Sequence, residues 1–140
     1  MKACEDGGPV YVYNVAFEGR VIKDLAERFP KLRAPLMKII TRMVDLLPVA
    51  QKHYYHPDMQ GSWSLKAVLP TIVPDLDYDR LDGVQDGGMA QTAYLEAINL
   101  ATAPERRKEI RQELLDYCGL DTYATVRLWQ YFAGQHQWRL

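Results

Sequence analysis

The sequence predicts an α/β domain with about two parallel strands, several helices and a helix-rich C-terminal half. Three observations carry this. Val10-Tyr11-Val12-Tyr13-Asn14 is a β-branched and aromatic run behind Gly7-Gly8-Pro9, and Met43-Val44-Asp45-Leu46-Leu47 is a short apolar run stopped by Pro48. Apolar residues at helical spacing fill the interval between the two runs. From Met89 onward the pattern is helical almost throughout. Two strands with helices between them imply a parallel pair joined by a right-handed crossover.

The elements follow in order. Glu18, Ile22, Leu25 and Phe29 share one face of a helix that Pro30 stops. Leu36, Ile39, Ile40 and Met43 make a second stripe, with Pro35 near its start. Residues 48–62 read as a loop or partly helical excursion ending at Gly61. Ser62 or Ser64 can cap a short helix that runs to Leu69 before Pro70. Residues 70–88 hold Pro, Gly, Asp75, Asp77, Asp79, Asp82 and Asp86, a long irregular connection. Asp86-Gly87-Gly88 leads into a helix from Met89 to Ala101, with Ala90, Ala93 and Ala97 allowing close packing. Pro104 opens a longer helix to Phe132, with Gly119 as a kink position.

Length and composition bound the rest. At 140 residues, 48% hydrophobic and 25% charged, the chain suits one globular domain and one core. Disordered, collagen-like and coiled-coil classes are excluded. No apolar run approaches the ~20 residues that cross a bilayer, so no membrane association is expected. The start carries Glu5 and Asp6 and no apolar stretch, unlike a secretory signal. Seventeen basic against 18 acidic residues give a net charge of -1, so a phosphate-bearing partner would need a local patch or metal ions. Cys4 and Cys118 make no disulfide framework, and a cytoplasmic location is expected.

A typical sheet has ~4–6 strands, and parallel sheets are buried on both faces. Two strands are too few. Either a partner chain supplies the others, as in a homodimer, or residues 1–140 are the C-terminal part of a larger α/β domain, the reading favoured here.

Three features bear on chemistry. Asn14-Val15-Ala16-Phe17-Glu18 sits where a buried strand turns into a helix, the sheet edge at which ligands collect in open α/β folds. Glu18 faces inward in the first helical turn, where the helix dipole favours a carboxylate. An ordinary first-turn Glu making helix-terminal hydrogen bonds fits the same pattern. Second, Tyr117 and Asp121 lie four apart on the helical face that also carries Ile110, Leu114 and Leu128. An Asp on an apolar stripe needs a partner or a metal. Capping after a break at Gly119 is the plainer alternative. Tyr-x-x-x-Asp also occurs at Tyr54–Asp58 and Tyr78–Asp82, outside any strongly periodic helix. Third, Ser62, Ser64 and Lys66 stand at a helix start able to hold a phosphate, or simply cap a surface helix whose Leu65, Val68 and Leu69 enter the core.

Taken together, Asn-x-x-Phe-Glu after a strand, a Val-Asp-Leu strand, Ser-x-Ser-Leu-Lys, and Tyr-Cys-x-x-Asp-Thr on a late helix resemble the DEDD exonucleases. These are the RNase H-like 3′→5′ exonucleases, and Tyr-x-x-x-Asp is similar to their tyrosine subclass. The order and spacing most resemble an uncharacterised bacterial domain family of predicted RNase H-like nucleases, over nearly the whole chain. The resemblance implies a partial RNase H-like fold and two-metal hydrolysis of a phosphodiester at the 3′ end of single-stranded DNA or RNA. It implies Glu18 and Asp121 as ligands of Mg²⁺ or Mn²⁺, and Tyr117 as the residue orienting the attacking water. Asn14 would support the site, and Ser62, Ser64 and Lys66 would line the nucleic-acid groove. The family's first motif, Asp-x-Glu on the first strand, is absent, and Glu5-Asp6 does not fit it. Glu18 stands where polymerase domains more often have Asp. The implied enzyme is therefore incomplete in this chain, and a fused upstream domain would complete it. A catalytically degenerate nucleic-acid- or protein-binding module is the alternative.

Other candidates are weaker. His53-x-x-His56 has no nearby Cys pair and does not match a zinc ligand set. Asp45 suits a buried, hydrogen-bonded role better than a ligand at the site edge. Tyr54, Tyr55 and Trp63 could stack bases but read more simply as packing residues. The Glu105–Arg111 stretch reads as a solvated helix face.

Overall fold

The computed structural model describes residue 4 and residues 6–76, 78 and 81–134. Glu5, Asp77 and Asp79 lie outside the described residues. Two short strands, β1 (Val10–Val12) and β2 (Met43–Asp45), pair in parallel with Val10 opposite Met43, Tyr11 opposite Val44 and Val12 opposite Asp45. Between them run α1 (Val15–Arg28), a 3-10 turn (Pro30–Leu32) and α2 (Arg33–Ile40). The predicted parallel pair joined through helices is therefore present. Among the described residues, each strand pairs only with the other.

Both strands are shorter than the sequence predicts. The chain leaves β1 because Asn14 adopts φ 80° and ψ 73°, a left-handed conformation that asparagine tolerates better than most residues. β2 ends at Asp45, and Leu46-Leu47 is not its continuation. Instead α3 (Leu47–His53) starts there, with Pro48 in its first turn. A proline at that position needs no donor and has a helical φ, so it opens a helix rather than stopping a strand.

A 3-10 turn (Pro57–Met59) precedes α4 (Leu65–Ile72), which Ser64 caps by accepting the Ala67 N–H at 3.3 Å. α4 runs through Pro70 to Ile72 rather than ending at Leu69. Only one turn remains after the proline, and Val73 N–H donates to the Leu69 carbonyl to close it. α5 (Gly87–Ile98) is capped by Asp86, which accepts the Met89 N–H at 2.8 Å. It stops short of Ala101 because Asn99 turns extended and the Thr102 hydroxyl donates to the Glu96 carbonyl. α6 (Pro104–Phe132) is one helix of 29 residues that continues through Gly119. No helix among the described residues is long and apolar enough to cross a membrane.

The main core lies between α4 and the C-terminal half of α6. Met59, Val68, Leu69, Ala124 and Leu128 are fully enclosed there, with Leu46, Val73 and Tyr78 around them. A smaller cluster, Val84, Ala93 and Ile110, joins α5 to the first half of α6. The loop between α4 and α5 presses on α6 at Gly83, whose φ is +85° and whose added Cβ would meet the Glu113 carboxylate at 2.5 Å. The left-handed φ is what favours glycine there, since the Glu113 carboxylate ends a flexible side chain.

Candidate functional site

The carboxyl-terminal ends of β1 and β2 converge on Asp45. Its Oδ1 accepts the N–H groups of Asn14 at 2.9 Å and Leu47 at 3.0 Å, and its Oδ2 accepts that of Val15 at 2.9 Å. One carboxylate thus serves the first amides of both α1 and α3, where helix dipoles favour negative charge. Three donors occupy Asp45, as expected of a structural Asp. Arg42 does the corresponding work at the other end of the strands, donating to the carbonyls of Gly8 and Cys4 at 2.7 Å each.

One turn into α1, Glu18 enters a cleft of about 560 Å³ whose walls come from β1, α1 and α6. Asp121 lines the same cleft from α6, with Tyr11, Tyr13, Thr125 and Trp129 nearby. The Tyr11 and Trp129 rings meet at 5.6 Å and form one wall. Glu18 Oε2 is enclosed and has no hydrogen-bond partner among the described residues. Burial pushes the Glu18 carboxyl up. A hydrogen bond from its own backbone amide opposes this, and the negative charges of Asp45 and Asp121 add to it. An enclosed carboxylate between two others is a place where a cation or a proton is stabilised.

Asp121 has a partner that sequence reasoning missed. The Tyr78 hydroxyl donates to Asp121 Oδ1 at 2.6 Å across a separation of 43 residues. Burial first, and then Asp121, raise Tyr78 far above the ordinary tyrosine range, so it remains a donor at neutral pH. Tyr117 sits one helical turn before Asp121, and its ring meets that of Tyr78 at 6.2 Å. Burial and the charge of Asp121 push the Tyr117 phenol up to about 12. No spacing rule could have found Tyr78, because its own Tyr-x-x-x-Asp pattern with Asp82 points to the wrong aspartate.

Tyr117 and the remaining predicted residues, Asn14, Ser62, Ser64 and Lys66, are not among those lining the cleft. Asn14 is exposed, and its backbone amide is held by Asp45. Ser62 and Ser64 are exposed, their hydroxyls 3.3 Å apart, with Ser64 occupied as the α4 cap. Lys66 donates to the Gln85 carbonyl at 2.5 Å and stands over the Tyr78 and Tyr117 rings at 4.8 Å and 5.6 Å. Val68 and Leu69 enter the core and Leu65 packs against it, as the plainer reading of that helix has it. Lys66 therefore braces the two tyrosines behind Asp121.

Of the aromatic candidates, Tyr54 and Trp63 pack against the core. Trp63 Nε1 donates to the Tyr54 carbonyl at 3.1 Å, and the Tyr13 hydroxyl donates to the Trp63 carbonyl at 2.7 Å. Tyr55 stays 63% exposed. His56 Nδ1 accepts the Asp58 N–H at 3.3 Å. Among the described residues, no three His, Cys, Asp or Glu side chains form a metal-binding group.

This is an α/β unit with a two-carboxylate cleft at the strand ends. Residues 1–64 match the profile of a family described as a domain of unknown function, DUF2779. The matched stretch runs from before β1 to the Ser64 cap, so it includes Glu18 and Asp45 but not Tyr78, Tyr117 or Asp121. Searches of curated proteins and of solved structures give no match.

Proposed function

We propose that the chain is part of an RNase H-like domain of a metal-dependent nuclease, a 3′→5′ exonuclease on DNA or RNA that is incomplete within these 140 residues. The observation that carries this reading is that Glu18 and Asp121, on helices far apart in sequence, line one cleft at the strand ends, with Glu18 Oε2 enclosed and unpartnered. The open outer edges of the strand pair, and the exposed stripe Phe17, Val21 and Leu25 on α1, suit further strands from preceding polypeptide or from a second copy. Cys4 and Cys118 are free thiols, which suits the cytoplasm.

Oxygen donors and a carboxylate pair fit a hard divalent ion, Mg²⁺ or Mn²⁺. The pair is half of the four-carboxylate set that two ions require, and the missing half corresponds to the absent Asp-x-Glu. Bound ions would supply activated water and stabilise the leaving oxygen of a phosphodiester. The chain's own residues orient and exclude. Tyr78 fixes Asp121 through Oδ1, Lys66 braces Tyr78 and Tyr117 from behind, and Tyr117 keeps its proton at neutral pH and can donate to a water. Tyr11 and Trp129 close the cleft with apolar surface.

The second reading is a degenerate module that binds nucleic acid or protein without cutting. The two-carboxylate count favours it. The test is degradation of end-labelled single-stranded DNA and RNA with Mn²⁺, by this chain and by a longer chain that carries an upstream Asp-x-Glu strand. The 140-residue chain is expected to be slow or inactive. The longer chain is expected to cut and to lose about 10²-fold or more with Asp121→Asn. Binding without cleavage by both chains supports the module. Robust turnover that survives Asp121→Asn removes Asp121 from the site.

A further inference from the structure

α5 inverts the usual amphipathic pattern. Its alanines Ala90, Ala93 and Ala97 pack inward against Ile110 and Leu114 of α6. Its large apolar side chains point out: Tyr94, Leu95 and Ile98 are 57%, 57% and 56% exposed. Leu115 on α6 is 54% exposed, and Leu100 in the connecting loop is 97% exposed. Clustered exposure of this kind marks an interaction surface rather than scattered surface residues.

Between the two helices runs a groove of about 670 Å³. Tyr94, Leu114 and Leu115 supply its apolar floor and wall. Arg107, Lys108 and Arg111 line it as well, and no acidic side chain does. Three acids of this hairpin are taken up elsewhere, Glu96, Glu109 and Glu113 binding Arg106 at 3.0, 3.3 and 3.0 Å, while Glu105 and Asp116, the latter held by Gln112, stand on α6 outside the groove lining. Arg107 donates to the carbonyls of Asn99 and Thr102, while Lys108 and Arg111 make no ion pair among the described residues. The groove is thus apolar at the bottom and positive at the rim.

We infer that this groove docks an acidic amphipathic helix of a partner protein. Three features favour a helix over other anions. The floor is largely aliphatic and has one aromatic ring, Tyr94, too few to stack successive bases. The groove follows α6 from Pro104 to Cys118, about 21 Å at ~1.5 Å per residue, with Tyr94 and Ala97 of α5 on its other side, so it matches about four turns of a third helix. The cations stand along one side, as flanking glutamates of an apolar stripe would require. The inference uses none of the cleft residues, so it stands or falls apart from the nuclease reading.

The test is fluorescence anisotropy of this chain with a fluorescein-labelled peptide of about four turns, made of Leu, Ala and Glu with its leucines on one stripe. Saturable binding in the range of about 1–100 μM is expected. Lys108→Glu combined with Arg111→Glu, both exposed, should weaken it by about tenfold or more with an unchanged circular dichroism spectrum. Raising NaCl from about 0.05 to 0.5 M should weaken the unaltered chain similarly, which keeps the test independent of the variant. Equal affinity for a peptide with Lys in place of each Glu overturns the inference, as does indifference to both the variant and salt. Tighter binding of an oligothymidylate, or of vesicles containing phosphatidylglycerol, also overturns it, in favour of nucleic acid or membrane. So does a dimer at assay concentrations that the peptide fails to displace.

Discussion

The strand–helix unit of residues 10–45 and the helical body of residues 46–132 are held by different forces. In the first, the buried apolar residues are Val12, Ala26 and Leu36, whereas Phe17, Val21, Leu25 and Phe29 are 55%, 40%, 39% and 47% exposed. Its coherence comes from directional hydrogen bonds, with Asp45 gathering three amides at one end and Arg42 two carbonyls at the other. In the second, Met59, Val68, Leu69, Ile110, Ala124 and Leu128 are essentially inaccessible, and apolar burial does the holding. A parallel strand pair is specified by its polar ends here, and it buries less apolar surface than the helical body does. The candidate cleft lies along the seam, with Glu18 from the first unit and Asp121 from the second.

The comparison can be broken or sharpened by substitution. Leu128→Ala should have the largest effect, a loss of about 2–5 kcal/mol in urea unfolding, because a fully buried leucine leaves a cavity. A loss below about 1 kcal/mol would mean the body is not the stable half. Asp45→Ala should cost about 2 kcal/mol, since it strips the acceptor from three backbone amides. Hydrogen exchange should then show residues 10–45 opening while 104–132 stay protected. Simultaneous loss of protection in both would erase the distinction.

Glu18→Gln should act more modestly and with a pH signature. Burial raises the Glu18 carboxyl, so the folded protein holds that proton more tightly than the unfolded chain. The resulting stability is fully present below the unfolded value and is lost as pH rises through the folded one. The variant should therefore melt higher than the parent at pH 7 and lose that advantage in acid. A variant that melts lower at pH 7 would mean that the Glu18 carboxylate gains more from its surroundings than burial costs it. Phe17→Ser should do least, within about 0.5 kcal/mol, because the ring is 55% exposed. A clear loss there would show that the stripe is already covered in solution.

Much of this was legible from sequence, residue by residue. The parallel pair, the helices between, a serine cap on α4, a helix start at Asp86-Gly87-Gly88, and the inward set of Glu18 and Asp121 follow from local pattern. Only the start of α3 was not legible, because Leu46-Leu47-Pro48 is short enough to read equally as a strand end, whereas residues 48–62 read as a loop or partly helical excursion. The extent of α4 is not legible at Pro70, because a proline normally ends a helix, whereas here the chain continues to Ile72 and the Val73 N–H closes the last turn on Leu69.

Sequence alone determined what repeats over one or two turns: periodicity, capping, and the run of strand-formers before Asn14. Those signals are local because backbone hydrogen bonds and side-chain faces recur within a few residues. Tertiary structure alone decided the partners. It set Tyr78 on Asp121, Lys66 against two tyrosine rings instead of in an open groove, and Asp45 beneath two helix starts. Apart from the local Asp45–Leu47 bond, each of those pairings joins residues from different parts of the chain, and only the packing of the core brings them into contact.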